Sequence, residues 1–163
     1  MKIAIMSDIH DNYENLDKAI KIANQESCLY LLFAGDFVSP AGLSSLEKFT
    51  GKVAMVWGNN EGNKHGFYKT INEMDNVTMH DEFYEGGIDD VKIFMNHFPR
   101  LSEIAVETKK FDLCIHGHSH HYRLEEINDV ILLCPGNIAG WREKAGFAIF
   151  DTTDKSIKHL LIF

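Results

Sequence analysis

Five apolar runs in this chain stop on the same small set of polar residues. Ile3–Met6 runs into Ser7-Asp8-Ile9-His10, Leu29–Ala34 into Gly35-Asp36, and Val53–Trp57 into Gly58-Asn59-Asn60-Glu61. Further on, Val91–Met95 runs into Asn96-His97, and Leu113–Ile115 into His116-Gly117-His118-Ser119-His120-His121. A short continuous apolar run marks a strand buried on both faces, as in a parallel sheet covered by helices. In open α/β sheets the carboxyl ends of such strands form one edge, and ligands bind there. The pattern therefore constrains the fold and the position of a site together.

The segments between the runs supply the other layers. Tyr13–Glu26 puts Leu16, Ala19, Ile20 and Ala23 on one helical face behind a cap at Asn12. Leu43–Thr50 has capping-box spacing at Ser44 and Glu47, with Gly51 as a stop, and Phe67–Met74 aligns Phe67, Ile71 and Met74. The pattern then becomes strand-rich: Val77–Tyr84, Val91–Met95, Leu113–Ile115, Tyr122–Ile127, Val130–Leu133, Phe147–Phe150 and Ile157–Ile162, with one more helix over Leu101–Lys109. The glycine pair within Glu85–Asp90, and Asn128-Asp129, carry turn chemistry. Strand–helix alternation followed by strands predicts an α/β chain built as a four-layer αββα sandwich with two mixed β-sheets. No linker, repeat or low-complexity tract divides it, so residues 1–163 are expected to form a single domain long enough to bury a real core.

Charge and cysteine usage exclude several classes. Sixteen basic against twenty-four acidic residues give a net charge of -8, so no stable nucleic-acid partner is expected, because affinity for a phosphate backbone depends on Lys and Arg. Cys28, Cys114 and Cys134 form no CxxC pair and each lies in an apolar run, which predicts buried reduced thiols. No apolar stretch approaches the ~20 residues of a membrane span, and Lys2–Met6, halted by Asp8, is too short for a signal segment. The expectation is a cytoplasmic protein with no membrane partner. Apolar strands near the C-terminus leave open a homo-oligomer.

Each strand-end block has a bland meaning when taken alone. Asp8-Ile9-His10 reads as a capped turn, Gly35-Asp36 as a plain turn, and His97 as a satisfied core histidine. His116 fits a strand core, His65, His80 and His159 fit the surface or a strand, and His121 fits either the surface or the cleft. Arg142, in the Gly-flanked loop at Trp141, reads as solvated, with a phosphate contact as the alternative, and Lys109-Lys110 complements a helix dipole. Taken together, the blocks point to metal. Imidazole with carboxylate suits Mn, Fe, Co, Ni or Zn, whereas calcium favours oxygen alone. On a strand Asp8 and His10, at i and i+2, would point the same way toward one ion, and His118 and His120 would serve two adjacent ions. Glycine directly before each of Asp36, Asn59 and His118 lets the backbone turn or approach closely.

In order along the chain, Asp8-Ile9-His10, Gly35-Asp36, Gly58-Asn59-Asn60-Glu61, His97 and Gly117-His118-Ser119-His120 resemble the calcineurin-like metallophosphoesterases. The chain length and the closing Cys134-Pro135-Gly136-Asn137 are similar to the small prokaryotic phosphodiesterase branch. The resemblance implies a two-metal site, with Asp8, His10, Asp36 and His120 on one ion and Asp36, Asn59, His97 and His118 on the other. It implies Asp8, Asp36, Asn59 and His97 as catalytic residues, and two divalent ions as cofactors, manganese foremost, with nickel, iron, cobalt and zinc as alternatives. Two such ions, two aspartates and a bridging hydroxide leave about +1 at the centre, which attracts a phosphate ester in an acidic protein. The implied activity is a phosphodiesterase for a small phosphodiester substrate, in which that hydroxide attacks phosphorus in line.

Departures from the family pattern bear on substrate. Many relatives carry His after the third-block Asn, where this chain has Asn60, which cannot act as an acid at neutral pH. That favours good leaving groups, or protonation by water or another histidine. Glu61 replaces a commoner Asp and is expected to orient a ligand, and Phe98, where glycine is usual, would narrow the site mouth. Asp36-Phe37-Val38-Ser39-Pro40 lacks the Arg of phosphoprotein phosphatases. The alternative reading is a non-catalytic interaction scaffold of the same fold, like the retromer subunit. A nuclease of the superfamily is disfavoured by the acidic charge.

Overall fold

Ile3 and Ile5 leave the first strand on one face, Ala4 and Met6 on the other, and all four are fully buried. The two faces belong to different cores. Ile3 and Ile5 pack with Leu32, Ala34, Ile93, Met95, Leu113, Ile115, Leu133 and Phe150, whereas Ala4 and Met6 pack with Leu16, Ile20, Leu31, Phe33, Leu43, Leu46, Met55 and Phe67. Because the side-chain period of a strand is two, one continuous apolar run can join a sheet–sheet core and a sheet–helix core.

The computed structural model describes residues 1–163. One six-stranded sheet has the order β11-β10-β1-β2-β3-β4, with β1 Lys2–Met6, β2 Tyr30–Phe33, β3 Lys52–Met55, β4 Val77–Met79, β10 Gly146–Asp151 and β11 Ile157–Leu161. The pairs β1–β2, β2–β3 and β3–β4 are parallel, while β10 joins β1 and β11 antiparallel. A five-stranded sheet has the order β5-β6-β7-β9-β8, with β5 Phe83–Ile88, β6 Val91–Asn96, β7 Leu113–Ile115, β8 Tyr122–Ile127 and β9 Val130–Pro135. Helices α1 Tyr13–Gln25, α2 Leu43–Leu46 and α3 Lys64–Ile71 share the core on the outer face of the first sheet. Helix α4, Pro99–Glu107, covers the second through Ala105 and Val106 against Cys114, Val130 and Leu132. Both sheets are mixed, and the chain has the four-layer αββα order expected. Each fully buried Leu, Ile or Phe in these layers contributes roughly 1.5–3 kcal/mol of transfer free energy.

Helix α1 starts as expected: Asn12 accepts from the Asn15 backbone N–H at 3.2 Å, and Leu16, Ala19, Ile20 and Ala23 are its buried face. Three other elements differ. The Ser44/Glu47 capping box does not form, because the chain enters α2 through a 3-10 turn at Pro40–Gly42 that Ser39 caps instead, and α2 ends at Leu46. Helix α3 begins earlier than expected, since Asn63 accepts from Gly66 N at 2.9 Å. The stretch Val77–Tyr84 is not one strand; β4 and β5 belong to different sheets, and the chain crosses between them at 80–82. Gly86 and Gly87 lie within β5 opposite Ile93 and Lys92, and the hairpin turns at Asp89, where φ is 51°.

Candidate metal centre

The loops that follow β1, β2, β3, β6 and β7 meet at one edge of the sandwich and tie themselves together. Asp8 N donates to Gly35 O at 3.0 Å, Ile9 N to Asp36 O at 3.1 Å, Gly117 N to His97 O at 3.1 Å and Ala139 N to Asp8 O at 3.0 Å. Such cross-bonding supports an unusual backbone. Asp8, His10, Asp36, His118 and His120 all have positive φ, between 41° and 66°. For residues other than glycine this region costs on the order of 1–3 kcal/mol each, and it persists only where the surroundings over-determine it. Asp8 and His10 thus converge through left-handed loop geometry rather than through the strand alternation that their spacing suggested.

The side chains form two groups. In the first, His10 Nε2 is 3.2 Å from His120 Nε2, His120 Nε2 is 3.3 Å from Asp8 Oδ1, and His10 Nε2 is 3.5 Å from Asp36 Oδ2. The ligand atoms of Asp8, His10, Asp36 and His120 all lie within 4.8 Å of one another. In the second, Asn59 Oδ1 is 3.0 Å from His97 Nε2 and 2.8 Å from His118 Nδ1, and His97 Nε2 is 3.5 Å from Asp36 Oδ1. Asp36 faces the first group with one carboxylate oxygen and the second with the other. All seven residues singled out from the sequence are brought together, and His118 and His120 go to different groups.

The donor set fits divalent cations. His97 Nδ1 donates to the Ala34 carbonyl at 2.7 Å, so in the neutral ring Nε2 carries a lone pair that faces the Asn59 oxygen. Asp8 Oδ1 is fully buried and accepts no hydrogen bond, and it faces His120 Nε2 at 3.3 Å. Acceptors that face one another in a dry site are satisfied by a cation, and this mixture of imidazole, carboxylate and amide oxygen suits first-row divalent ions. Burial opposes the charge on Asp8, but His10 and His120, with the field of His97, more than offset it and hold its carboxyl well below the usual range. For His10 burial works downward, and the Asp8 and Asp36 carboxylates outweigh it and raise the imidazole.

Neighbouring groups hold these side chains in place. Asp36 Oδ1 accepts from Asn59 N at 2.8 Å and Asn60 N at 2.9 Å, and Oδ2 accepts from the Asn60 amide at 2.7 Å. Glu61 braces backbone rather than a side chain: it accepts from Phe37 N at 3.0 Å and Gly58 N at 2.7 Å, joining the Asp36 and Asn59 loops. Burial pushes its carboxyl up, and those N–H groups oppose the shift. A Cβ at Gly58 would collide with Asp36 Oδ1 and the Asp36 backbone N, so only glycine allows this approach. His116 is buried, as expected, and His121 is exposed and paired with Glu143 at 2.7 Å.

Sequence reasoning missed two residues. Trp141 stacks on His10, with centroids 4.3 Å apart and planes 17° apart, and no periodicity marks a loop tryptophan for that role. Asn137 is fully buried and donates to His120 O at 2.8 Å. The Gly136-Asn137 pair after an apolar run, the same pattern as at Gly35-Asp36 and Gly58-Asn59, was the available signal.

Comparison with known proteins places the chain in a family. Residues 1–155 match the calcineurin-like phosphoesterase superfamily domain. Phosphodiesterase MJ0936 of Methanocaldococcus jannaschii is 32% identical over 165 residues, 99% of each chain. The solved structure of an archaeal phosphodiesterase has a TM-score of 0.93 at 31% identity, covering 99% of this chain and 100% of that one. The phosphoesterase Yfce of E. coli, at 17% identity and a TM-score of 0.70 over the full length of both chains, shares the fold. So does the zinc complex of Vps29 from Entamoeba histolytica, at 16% and 0.68, covering 99% of this chain and 98% of that one. The chain therefore belongs to the calcineurin-like phosphoesterase superfamily, a family of hydrolases acting on phosphoric ester bonds.

Proposed function

We propose that this protein is a divalent-metal-dependent phosphodiesterase acting on a small phosphodiester. The observation that carries the reading is the pair of acceptor groups that meet at Asp36. Asp8, His10, Asp36 and His120 would hold one ion, and Asp36, Asn59, His97 and His118 the other, manganese being foremost. Two divalent ions so held supply positive charge for phosphoryl oxygens and lower the pKa of water toward neutrality. The chain's own residues do the rest. Asp36 divides its carboxylate between the groups, His97 is fixed in one tautomer by Ala34, and Asn59 contributes a neutral oxygen that keeps the site cationic.

Asn60 has a different role from the histidine found in many relatives. Its amide is bonded to Asp36 Oδ2, so the side chain orients a ligand and delivers no proton. Esters whose leaving group departs without acid assistance are the preferred substrates. Both sheets contribute ligands, which supports reading residues 1–163 as one domain. No helix is long and apolar enough to cross a membrane, and a cytoplasmic location belongs to the same proposal.

Hydrolysis of bis(4-nitrophenyl) phosphate tests the reading. Protein stripped of metal should be inactive, Mn²⁺ or Ni²⁺ should restore turnover, and Asp36→Ala or His97→Ala should abolish it with the circular dichroism spectrum retained. Turnover absent with every divalent ion overturns it and leaves the scaffold reading, whereas turnover undiminished in Asp36→Ala overturns the assignment of the site. Metal content alone does not separate the two, because Vps29 itself has been solved with zinc.

A further inference from the structure

Trp141 borders the first metal group from the solvent side and is held there by more bonds than an ordinary loop residue. Its indole stacks on His10 and lies 6.1 Å from the His120 ring at 22°, yet the residue remains 53% exposed. With one face against His10, the exposed area lies on the opposite face and the edge. The buried Asn137 commits its whole carboxamide to this placement. Its oxygen accepts from Gly140 N at 2.6 Å and Trp141 N at 2.9 Å, and its nitrogen donates to Trp141 O at 3.0 Å and His120 O at 2.8 Å. Asn12 and Asn15, from the start of α1, donate to Ala139 O and Ile138 O at 3.1 and 2.9 Å. At the far end Glu143 accepts from His121 Nδ1 at 2.7 Å and Tyr122 N at 3.1 Å.

An indole face left in water is unfavourable, and here the backbone beneath it is fixed from three directions. The exposed ring is therefore imposed by the loop and is pre-organised to receive something. Phe98 repeats the arrangement at the second group: 37% exposed, it stands edge-on to His97 at 5.3 Å and tilted against His118 at 5.4 Å. Each group of ligands is thus flanked by an exposed aromatic ring, in a protein whose net charge of -8 gives little general attraction for anions.

We propose that Trp141 is a substrate-positioning residue whose outer face stacks on a planar aromatic substituent of the phosphodiester, an aryl ring or a nucleobase, so that such esters are preferred over aliphatic ones. Aromatic rings stack in offset or parallel arrangements, and a pre-placed ring gains that contact without losing side-chain freedom. The proposal rests on the phosphodiesterase reading for the position of the phosphate, and on Trp141 for the preference.

The test compares two phosphodiesters of similar size, diphenyl phosphate and dibutyl phosphate, on the manganese-replete full chain. Binding is read from tryptophan emission and from competitive inhibition. Trp57, only 3% exposed, provides a constant background. Diphenyl phosphate should change the emission and bind more tightly than dibutyl phosphate. Trp141→Leu should weaken diphenyl phosphate by about tenfold, the scale of one aromatic stack, and leave dibutyl phosphate affinity where it was. Trp141→Phe should recover most of the loss, and the KM for bis(4-nitrophenyl) phosphate should rise with little change in kcat. Equal weakening of both ligands, in the leucine variant or in the phenylalanine variant, overturns the proposal and leaves Trp141 as a cover for His10. Equal affinity of the wild type for the two ligands overturns it too. A chain that stacks diphenyl phosphate on Trp141 but hydrolyses no diester defeats the phosphodiesterase reading alone. A chain that hydrolyses diesters without distinguishing the two ligands defeats this proposal alone.

Discussion

Asp36 faces both groups of candidate ligands, so on the two-metal proposal its replacement should affect two ions where that of the others affects one. In Asp36→Asn the side chain keeps its shape, and its remaining oxygen can still accept the Asn59 and Asn60 backbone N–H groups. What disappears is the charge and the acceptor for the Asn60 amide, a hydrogen bond to a charged group worth about 1.5–3 kcal/mol. An unfolding entropy of about 2.1 cal/mol/K per residue across 163 residues makes ~0.34 kcal/mol equal to one degree of Tm. The metal-free variant should therefore melt roughly 4–9 °C below metal-free wild type. Metal acts in the opposite direction: an ion present at a hundred times its dissociation constant stabilises by ~2.7 kcal/mol, or about 8 °C on that scale. Wild type in excess Mn²⁺ should gain about 16 °C from two sites. His10→Ala, which touches only the first group, and Asn59→Ala, which touches only the second, should each keep about half of that gain. Asp36→Asn should keep little of it. Differential scanning calorimetry with and without Mn²⁺, beside elemental analysis of the metal-loaded chains, reads this directly. An Asp36→Asn chain that retains the full wild-type shift and metal content refutes the shared-carboxylate arrangement.

Two further outcomes follow from groups outside the site. Cys28, Cys114 and Cys134 are buried, and burial pushes their thiols up to about 11, 12 and 11, so iodoacetamide at pH 8 should leave the native chain unlabelled, whereas unfolded chain takes three groups by mass spectrometry. Labelling of the native chain at the unfolded rate would contradict the packing described. His159 stacks on Tyr122 at 4.0 Å and 14°, and burial lowers its imidazole pKa. A pKa depressed on folding gives stability that is present above the unfolded value, about 6.5, and is lost as pH falls below it toward the folded value. The Tm difference between pH 7.5 and pH 5.5 should therefore shrink in His159→Leu; an unchanged difference would show that His159 is not responsible.

The order of layers was available from the sequence because the strands here are short, apolar and buried on both faces, and because α1 carries its own cap and apolar stripe. Polar residues at the strand ends were available for a related reason, since such sheets collect them there and five separate ends carried Asp, His or Asn, and the resemblance picked the seven candidates from among them. Element edges were less well determined. Residues 77–84 read as one strand because β-propensity does not say which sheet a segment joins, and β4 and β5 join different ones. Gly86-Gly87 read as a turn, yet cross-strand pairing with Lys92 and Ile93 holds both glycines extended. The Ser44/Glu47 capping box lost to Ser39 and the Pro40–Gly42 turn, which had already set the direction of entry into α2.

By itself the sequence determined the fold class, the sheet–helix alternation and the presence of polar residues at five strand ends, since these depend on periodicity and residue chemistry read locally; the choice of seven among them was implied by the family resemblance. The resemblance implied that Asp36 stands between two groups and that His118 and His120 divide between them; only the tertiary structure decided that loop backbone brings them there, that Glu61 joins the Asp36 and Asn59 loops, and that Trp141 lies on His10. Those outcomes depend on left-handed backbone at Asp8, His10, Asp36, His118 and His120, a region that Asp and His enter more readily than most residues but that is costly for any residue other than glycine. It is sustained by hydrogen bonds between loops that lie far apart in sequence and adjacent only once the two sheets have packed.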